Sequence, residues 1–263
     1  MTELHLGLPL FEAFLYRLGI PDSCLLNKPL HKKMFQQHAD LNAADKKALK
    51  DGVEKIRWLY SLKPSTINIA PFSDDLHDYG ELALLHVELR QSQGTARLGE
   101  LINRAIPYPL VIFFTDSDQR LGLCLADKRI NKADPDKWVL EDQQLSPWMD
   151  LTQMPQDEPS PEHAFLNSLA LAGLPQGNFW QLYQALSHRL QALQAAAITG
   201  RFHLLSGAAA EQQRHSLHSY RQAEAALKKL RSQLKQAEFS QQVALNIQIK
   251  QQQQQLQQLA EQL

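Results

Sequence analysis

The chain has 263 residues, 44% of them hydrophobic, with 27 basic against 28 acidic side chains and a formal net charge of −1. That length fits one large domain or two small ones and buries a core without disulfide or metal staples, and the charge balance excludes a strongly basic nucleic-acid coat. The longest apolar run, at 108–115, is far short of the roughly 20 residues of a membrane span, and the start MTELHLGLPLFEAF lacks the basic segment and cleavage site of a secretory signal.

Cys24 and Cys124 stand in no metal or redox spacing, which fits a reducing, cytoplasmic compartment, and both read as packing residues. In chain order, a helix is predicted near 11–18, between Pro9 and Gly19-Ile20-Pro21, and a second over 32–38. Asn42, with Asp45 three residues on, forms a capping box for a third helix, whose face is Ala44, Ala48, Leu49, Val53 and Ile56. Strands are predicted at 57–62 and 66–70 around the turn Lys63-Pro64-Ser65, and at 82–89. A helix over 98–105 stops at Pro107 and Pro109. A hairpin at 110–115 and 121–126 turns through Asp116-Ser117-Asp118-Gln119, and a short strand ends the region at 138–140.

A linker carrying Pro147, Pro155, Pro159 and Pro161 follows. Asn178 then caps a helix whose stripe is Phe179, Leu182, Tyr183, Leu186, Leu190, Leu193 and Ala197, with Gly200 just past its end. From 208 there is neither Pro nor Gly. Leu227, Leu230 and Leu234, then Leu245, Ile249, Leu256, Leu259 and Leu263, make a narrow seam with a stutter between Leu234 and Leu245. Some 50 residues would make a rod of roughly 75 Å, which needs a second helix beside it: another copy, another protein, or the Phe179 helix folded back. Replacing Leu256 and Leu259 by Lys is then expected to abolish assembly. The fold class is α+β: a helix-covered mixed sheet (1–151), a Pro-rich linker and helical segment (152–207), and a long coiled coil (208–263).

Several segments resemble a bacterial family known as domain of unknown function 4391. Glu54-Lys55-Ile56-Arg57-Trp58-Leu59 and Leu62-Lys63-Pro64-Ser65-Thr66-Ile67 are similar to its core. Residues 81–90 match its following strand, and residues 101–109 its most recognisable segment, where His is common at the place of Asn103. Ala126-Asp127-Lys128-Arg129 resembles its A-H-K-R hairpin end, with Asp127 for His, and residues 198–202 and 239–246 resemble later segments. The resemblance implies no reaction. It implies a setting: members are often encoded beside helicases and DNA methyltransferases of phage-defence or restriction islands.

Three site readings compete. A restriction-type metal nuclease wants an acid at a strand start and acid-x-Lys on the next strand; Asp74 or Asp75 with Glu88-Leu89-Arg90 comes nearest, although a guanidinium is a poor substitute for the lysine. The bland alternative is a strand with Leu85, Val87 and Leu89 inside and His86, Glu88 and Arg90 in water. Residues 28–63 carry nine Lys or Arg against four acids, so Lys32, Lys33, Lys47 and Arg57 are candidates for phosphate contacts, or simply a solvated helix face. Ile106-Pro107-Tyr108-Pro109 reads as a rigid corner or a binding rim. His215 and His218 share a helix face without a third ligand, and Asn246 fixes register if it lies inside the seam. No phosphate loop, H-E-x-x-H, G-x-S-x-G or paired C-x-x-C occurs, so no cofactor or metal is expected. The leading reading is a non-enzymatic assembly protein that works with itself, a helicase or a methyltransferase; a nuclease and a nucleic-acid-binding module are the alternatives.

Overall fold

Short-range signals start and stop most helices. In the computed structural model, which describes residues 9–38, 41–132, 134–153 and 160–263, α1 spans Leu10–Arg17 and α2 Lys32–His38. The helix α3 (Ala43–Gly52) opens with the full capping box: Asn42 Oδ1 accepts from Asp45 N, and the Asp45 carboxylate accepts from Asn42 N. Ser160, followed by Pro161 at the first helical position, caps α5 (Pro161–Ser168), and Asn178 accepts from Gln181 N at the start of α6 (Phe179–Thr199). Gly200 ends α6 at φ +75°, a conformation strained for any residue with a Cβ.

The strands are β1 (Leu25–Pro29), β2 (Val53–Leu62), β5 (Leu82–Leu89), β6 (Leu110–Thr115), β7 (Arg120–Asn131) and β8 (Asp134–Leu145), paired in that order, with β9 (Met149–Asp150) beside β7. A two-stranded ribbon, β3 (Phe72–Ser73) and β4 (Asp78–Tyr79), stands apart from this sheet. Helix α4 (Thr95–Ala105) is the crossover that lets β6 run parallel to β5; the other pairs are antiparallel. Both faces are covered. Ala83, Leu85, Val87 and Leu89 pack with Phe35, Leu49, Leu98 and Ile102 from α2, α3 and α4. On the other face Phe14 of α1 meets Phe113 edge-on at 5.5 Å. There too the Tyr183 hydroxyl of α6 accepts from Ala126 N at 2.8 Å and lies within hydrogen-bond reach of the Leu110 and Ala126 carbonyls. Against α4, β7 comes so close that a Cβ on Gly99 would meet Cys124 Sγ at 2.8 Å.

Five sequence expectations change. Val53 and Ile56 belong to β2, not to the third helix; they face the same core as Leu49, so both readings bury them. Residues 66–70 form no strand, because Thr66 closes a turn, its hydroxyl bonding the Ser61 carbonyl and accepting from Lys63 N. His86 does not face water. It is 8% exposed, since a strand with a parallel neighbour is covered on both sides. The described start of the linker is no free spacer: β9 pairs with β7, and Trp148 lies over Gly122 and the Arg120 guanidinium. Pro155 and Pro159 lie outside the described residues.

The fifth change is the rod. The chain divides into compact units at 1–190 and 191–263, and in the second the helix breaks at 235–238. Helices α7 (Gly207–Leu234) and α8 (Phe239–Ala260) fold back on one another. Gln242 Nε2 donates to the Ala237 carbonyl across the bend, and Gln213 Nε2 reaches the Leu263 carbonyl at 3.5 Å, which makes the pair antiparallel. Leu227 is buried, and Leu230, Leu234, Leu245, Ile249, Leu256, Leu259 and Leu263 are half-buried. The seam therefore finds its second helix within the chain, and Asn246 lies outside it, exposed. Gln191 Nε2 donates to the Ala210 carbonyl at 2.7 Å, joining the last turns of α6 to α7. Leu256→Lys with Leu259→Lys is accordingly expected to melt the hairpin, with loss of helical circular dichroism, so that any fall of mass in solution comes with that loss. A change of mass at constant helicity would contradict this.

Candidate functional site

The described residues offer two polar surfaces, both on the sheet unit. One is a cleft of about 380 Å³ at the C-terminal ends of the parallel strands β5 and β6, the usual place for a ligand in an open α/β sheet. His86 forms its floor. The ring stacks on Phe11 at 4.1 Å, and its Nε2 lies 2.7 Å from Thr115 Oγ1. Burial, then the charges of Arg57 and Lys55, push its pKa down to about 4. A neutral imidazole so reluctant to accept a proton is a weak general base near pH 7. Three of the four carboxylates that line the cleft have cation partners: Glu88 with Lys55 at 3.4 Å, Glu54 with Arg90, and Asp116 with Arg120 at 2.7 Å; the fourth is Glu12. The guanidinium beside Glu54 holds that carboxyl below its ordinary range.

The acid pair expected of a nuclease does not assemble from Asp74 or Asp75. Asp74 caps the turn between β3 and β4, accepting from Leu76 N and His77 N, and the His77 ring holds its carboxyl low. Leu76 in turn accepts from Ile130 N, at the far end of β7, whereas Glu88 is level with Thr115 and Leu121. Nine residues of strand separate the two places, on the order of 30 Å. Glu54 is instead the acid that stands beside Glu88 and Arg90, because β2 pairs antiparallel with β5. No group of three or more His, Cys, Asp or Glu able to hold a metal occurs among the described residues.

The second surface is basic. Lys32, Lys46, Lys47 and Lys50 line an open depression between α2 and α3, with Asp51 as the acid among them. Lys33, Lys46, Lys47 and Lys50 are exposed. Asp45 subtracts little, since Arg97 binds its carboxylate at 2.7 Å and lowers its pKa. Lys32 is partly committed: its amine donates to the Lys50 and Val53 carbonyls, tying α2 to the end of α3, and partial burial lowers its pKa. Arg57 does not join this face. It is opposite His86 in the β2–β5 register, so it points to the other side of the sheet, where it grips Asn27 Oδ1.

Lys128 was not singled out by chemistry in the sequence. It is 2% exposed, and its amine donates to the carbonyls of Ile106 at 2.6 Å and Tyr108 at 2.7 Å. Burial pushes its pKa down to about 7. It clamps the Ile106–Pro109 corner from beneath and leaves Tyr108, 43% exposed, on the outside. His215 and His218 are both exposed, and the His218 ring bonds Gln222. Cys24 and Cys124 are buried, and burial pushes the Cys124 thiol up to about 12.

None of the curated proteins and none of the solved structures matches the chain. The family model described as a domain of unknown function (DUF4391) matches residues 18–256, and the chain belongs to that family.

Proposed function

We propose that this protein is a non-enzymatic interaction protein, an accessory component that contacts nucleic acid through the lysine face of α2 and α3. The observation that carries the reading is the depression lined by Lys32, Lys46, Lys47 and Lys50. Its charge is concentrated on one face of a chain whose net charge is −1, as phosphate binding wants. Three of the four carboxylates lining the cleft are engaged by Lys55, Arg90 and Arg120, and His86 is a poor base, which supports binding over chemistry. The setting is the one the family resemblance implies, a phage-defence or restriction-type system with a helicase or DNA methyltransferase as partner. In this reading α7 and α8 are a short antiparallel coiled coil. Its outer face, where Val243 is 61% and Ile247 56% exposed, serves assembly.

The test is affinity for DNA over a salt series, for the parent and for a Lys46→Glu, Lys47→Glu, Lys50→Glu variant. Each phosphate that no lysine neutralises takes about 0.9 from the slope of log K against log salt on a duplex, or about 0.7 on a single strand. The variant is therefore expected to show a slope flatter by about 3 on a duplex, or about 2 on a single strand, and affinity lower by at least tenfold at low salt. A parent that binds no nucleic acid, or a variant with the parent's slope, removes the reading.

A further inference from the structure

The lysine face does not end at α2. Lys28 on β1 is exposed and is the register partner of Trp58 on β2, so the two side chains leave the sheet on the same side. Trp58 is half-buried, with its indole N–H donating to the Tyr60 carbonyl at 3.0 Å. Tyr108 meets Trp58 edge-on, the ring centroids 6.0 Å apart. Along β2, then, Lys32 binds the carbonyl of Val53 at one end, Lys28 stands opposite Trp58 five residues on, and Tyr108 lies against Trp58.

Tyr108 is an unusual ring to leave in water. It is 43% exposed, yet its backbone is fixed. Pro107 and Pro109 set the flanking dihedrals, and the buried Lys128 amine binds the carbonyls of Ile106 and of Tyr108 itself. A rigid exposed aromatic loses little freedom when another flat ring stacks on it. At the end of a lysine track it is the partner an unpaired base needs, while a duplex hides its base faces inside its own stack.

Resting on the nucleic-acid reading above, we infer that the track takes a single strand, with its phosphates on Lys28 and the α2–α3 lysines and one base stacked on Tyr108. The geometry sets a division of labour. The lysines supply affinity, which salt weakens, and Tyr108 supplies the preference for unpaired bases, which salt leaves alone.

The experiment measures binding of an oligothymidylate of about 15 nucleotides and of a duplex of the same length, at two salt concentrations. The full chain is compared with its Tyr108→Ala and Tyr108→Phe variants, and their thermal melts are recorded alongside. The parent is expected to prefer the single strand. Tyr108→Ala is expected to lose about tenfold on the single strand, the scale of one base–aromatic stack, with duplex binding and salt slope unchanged. Tyr108→Phe, which keeps the ring, is expected to bind as the parent does. If Tyr108→Ala binds the single strand as tightly as the parent, or if the parent prefers the duplex, this inference fails while the lysine face stands. If neither nucleic acid binds, both fall.

Discussion

Replacing Lys128 by alanine is expected to destabilise the sheet unit by about 4 kcal/mol, among the largest effects of any single substitution in this chain. Two losses add. Removing the four-carbon stem from a site 2% exposed leaves a cavity, worth about 2–4 kcal/mol for a side chain of that size. Removing the amine leaves the carbonyls of Ile106 and Tyr108 without their donor, at about 1–3 kcal/mol for a buried group. An offset works the other way, because a buried ammonium is itself costly; burial drives its pKa down to about 7. Lys128→Met separates the contributions, since it fills the cavity and removes only the amine. Its expected cost is smaller, about 1–2 kcal/mol. Urea melts of the two variants are the measurement. A methionine variant more stable than the parent would show that the ammonium's desolvation outweighs its two bonds, and that the corner is held by Pro107 and Pro109 alone.

That residue also shows how far the sequence can be read. Signals confined to a few residues survive folding: the Asn42–Asp45 capping box, the Asn178 cap, the left-handed Gly200 and the seam of α8 all appear where the spacing predicts them. Features that depend on which distant strands pair do not. Asp74 and Asp75 attract attention because they precede Glu88 in the chain, but the β2–β5 register brings Glu54 to it from 34 positions earlier. Edge strand β1 is short and exposed along its length, so it has neither alternation nor an apolar run to reveal it. The bend between α7 and α8 has no Gly or Pro. Its cause is the seam itself: a straight rod leaves Leu227, Leu230 and Leu234 in water, and folding back covers them with α8. Lys128 looks like one more charge in Asp-Lys-Arg until the chain leaving α4 at Ile106–Tyr108 closes over it, and a buried charge is invisible to composition.

Acidification is expected to weaken the fold between pH 6.5 and 4, by about 3 kcal/mol, through His86. The ring is nearly buried, with Phe11 stacked on one side and Thr115 Oγ1 at 2.7 Å from Nε2. Lys55 and Arg57 add positive charge nearby, while Glu88, the closest carboxylate on its own strand, is taken by Lys55. Burial and those charges lower its pKa in the folded chain to about 4, against 6.5 when unfolded. Within that window the unfolded state binds a proton that the folded state refuses, so stability rises with pH. The contribution is complete above 6.5, drains away as pH falls towards 4, and changes no further below it. At about 1.4 kcal/mol for each pKa unit, 2.5 units give the stated loss. The carboxylates held low by Arg90, Arg97 and His77 titrate lower down, from about pH 4.5, and Glu81, whose carboxyl burial raises, works in the opposite sense, so the histidine's share is the difference from a variant that cannot titrate at position 86. His86→Gln keeps a hydrogen-bonding group towards Thr115 but cannot titrate. Urea melts from pH 7 to 4 should show the parent losing about 3 kcal/mol more than this variant. Parallel curves would mean that His86 takes up its proton in the folded state at the ordinary pH, which requires Phe11 and α1 to lift from the sheet and open the cleft to water.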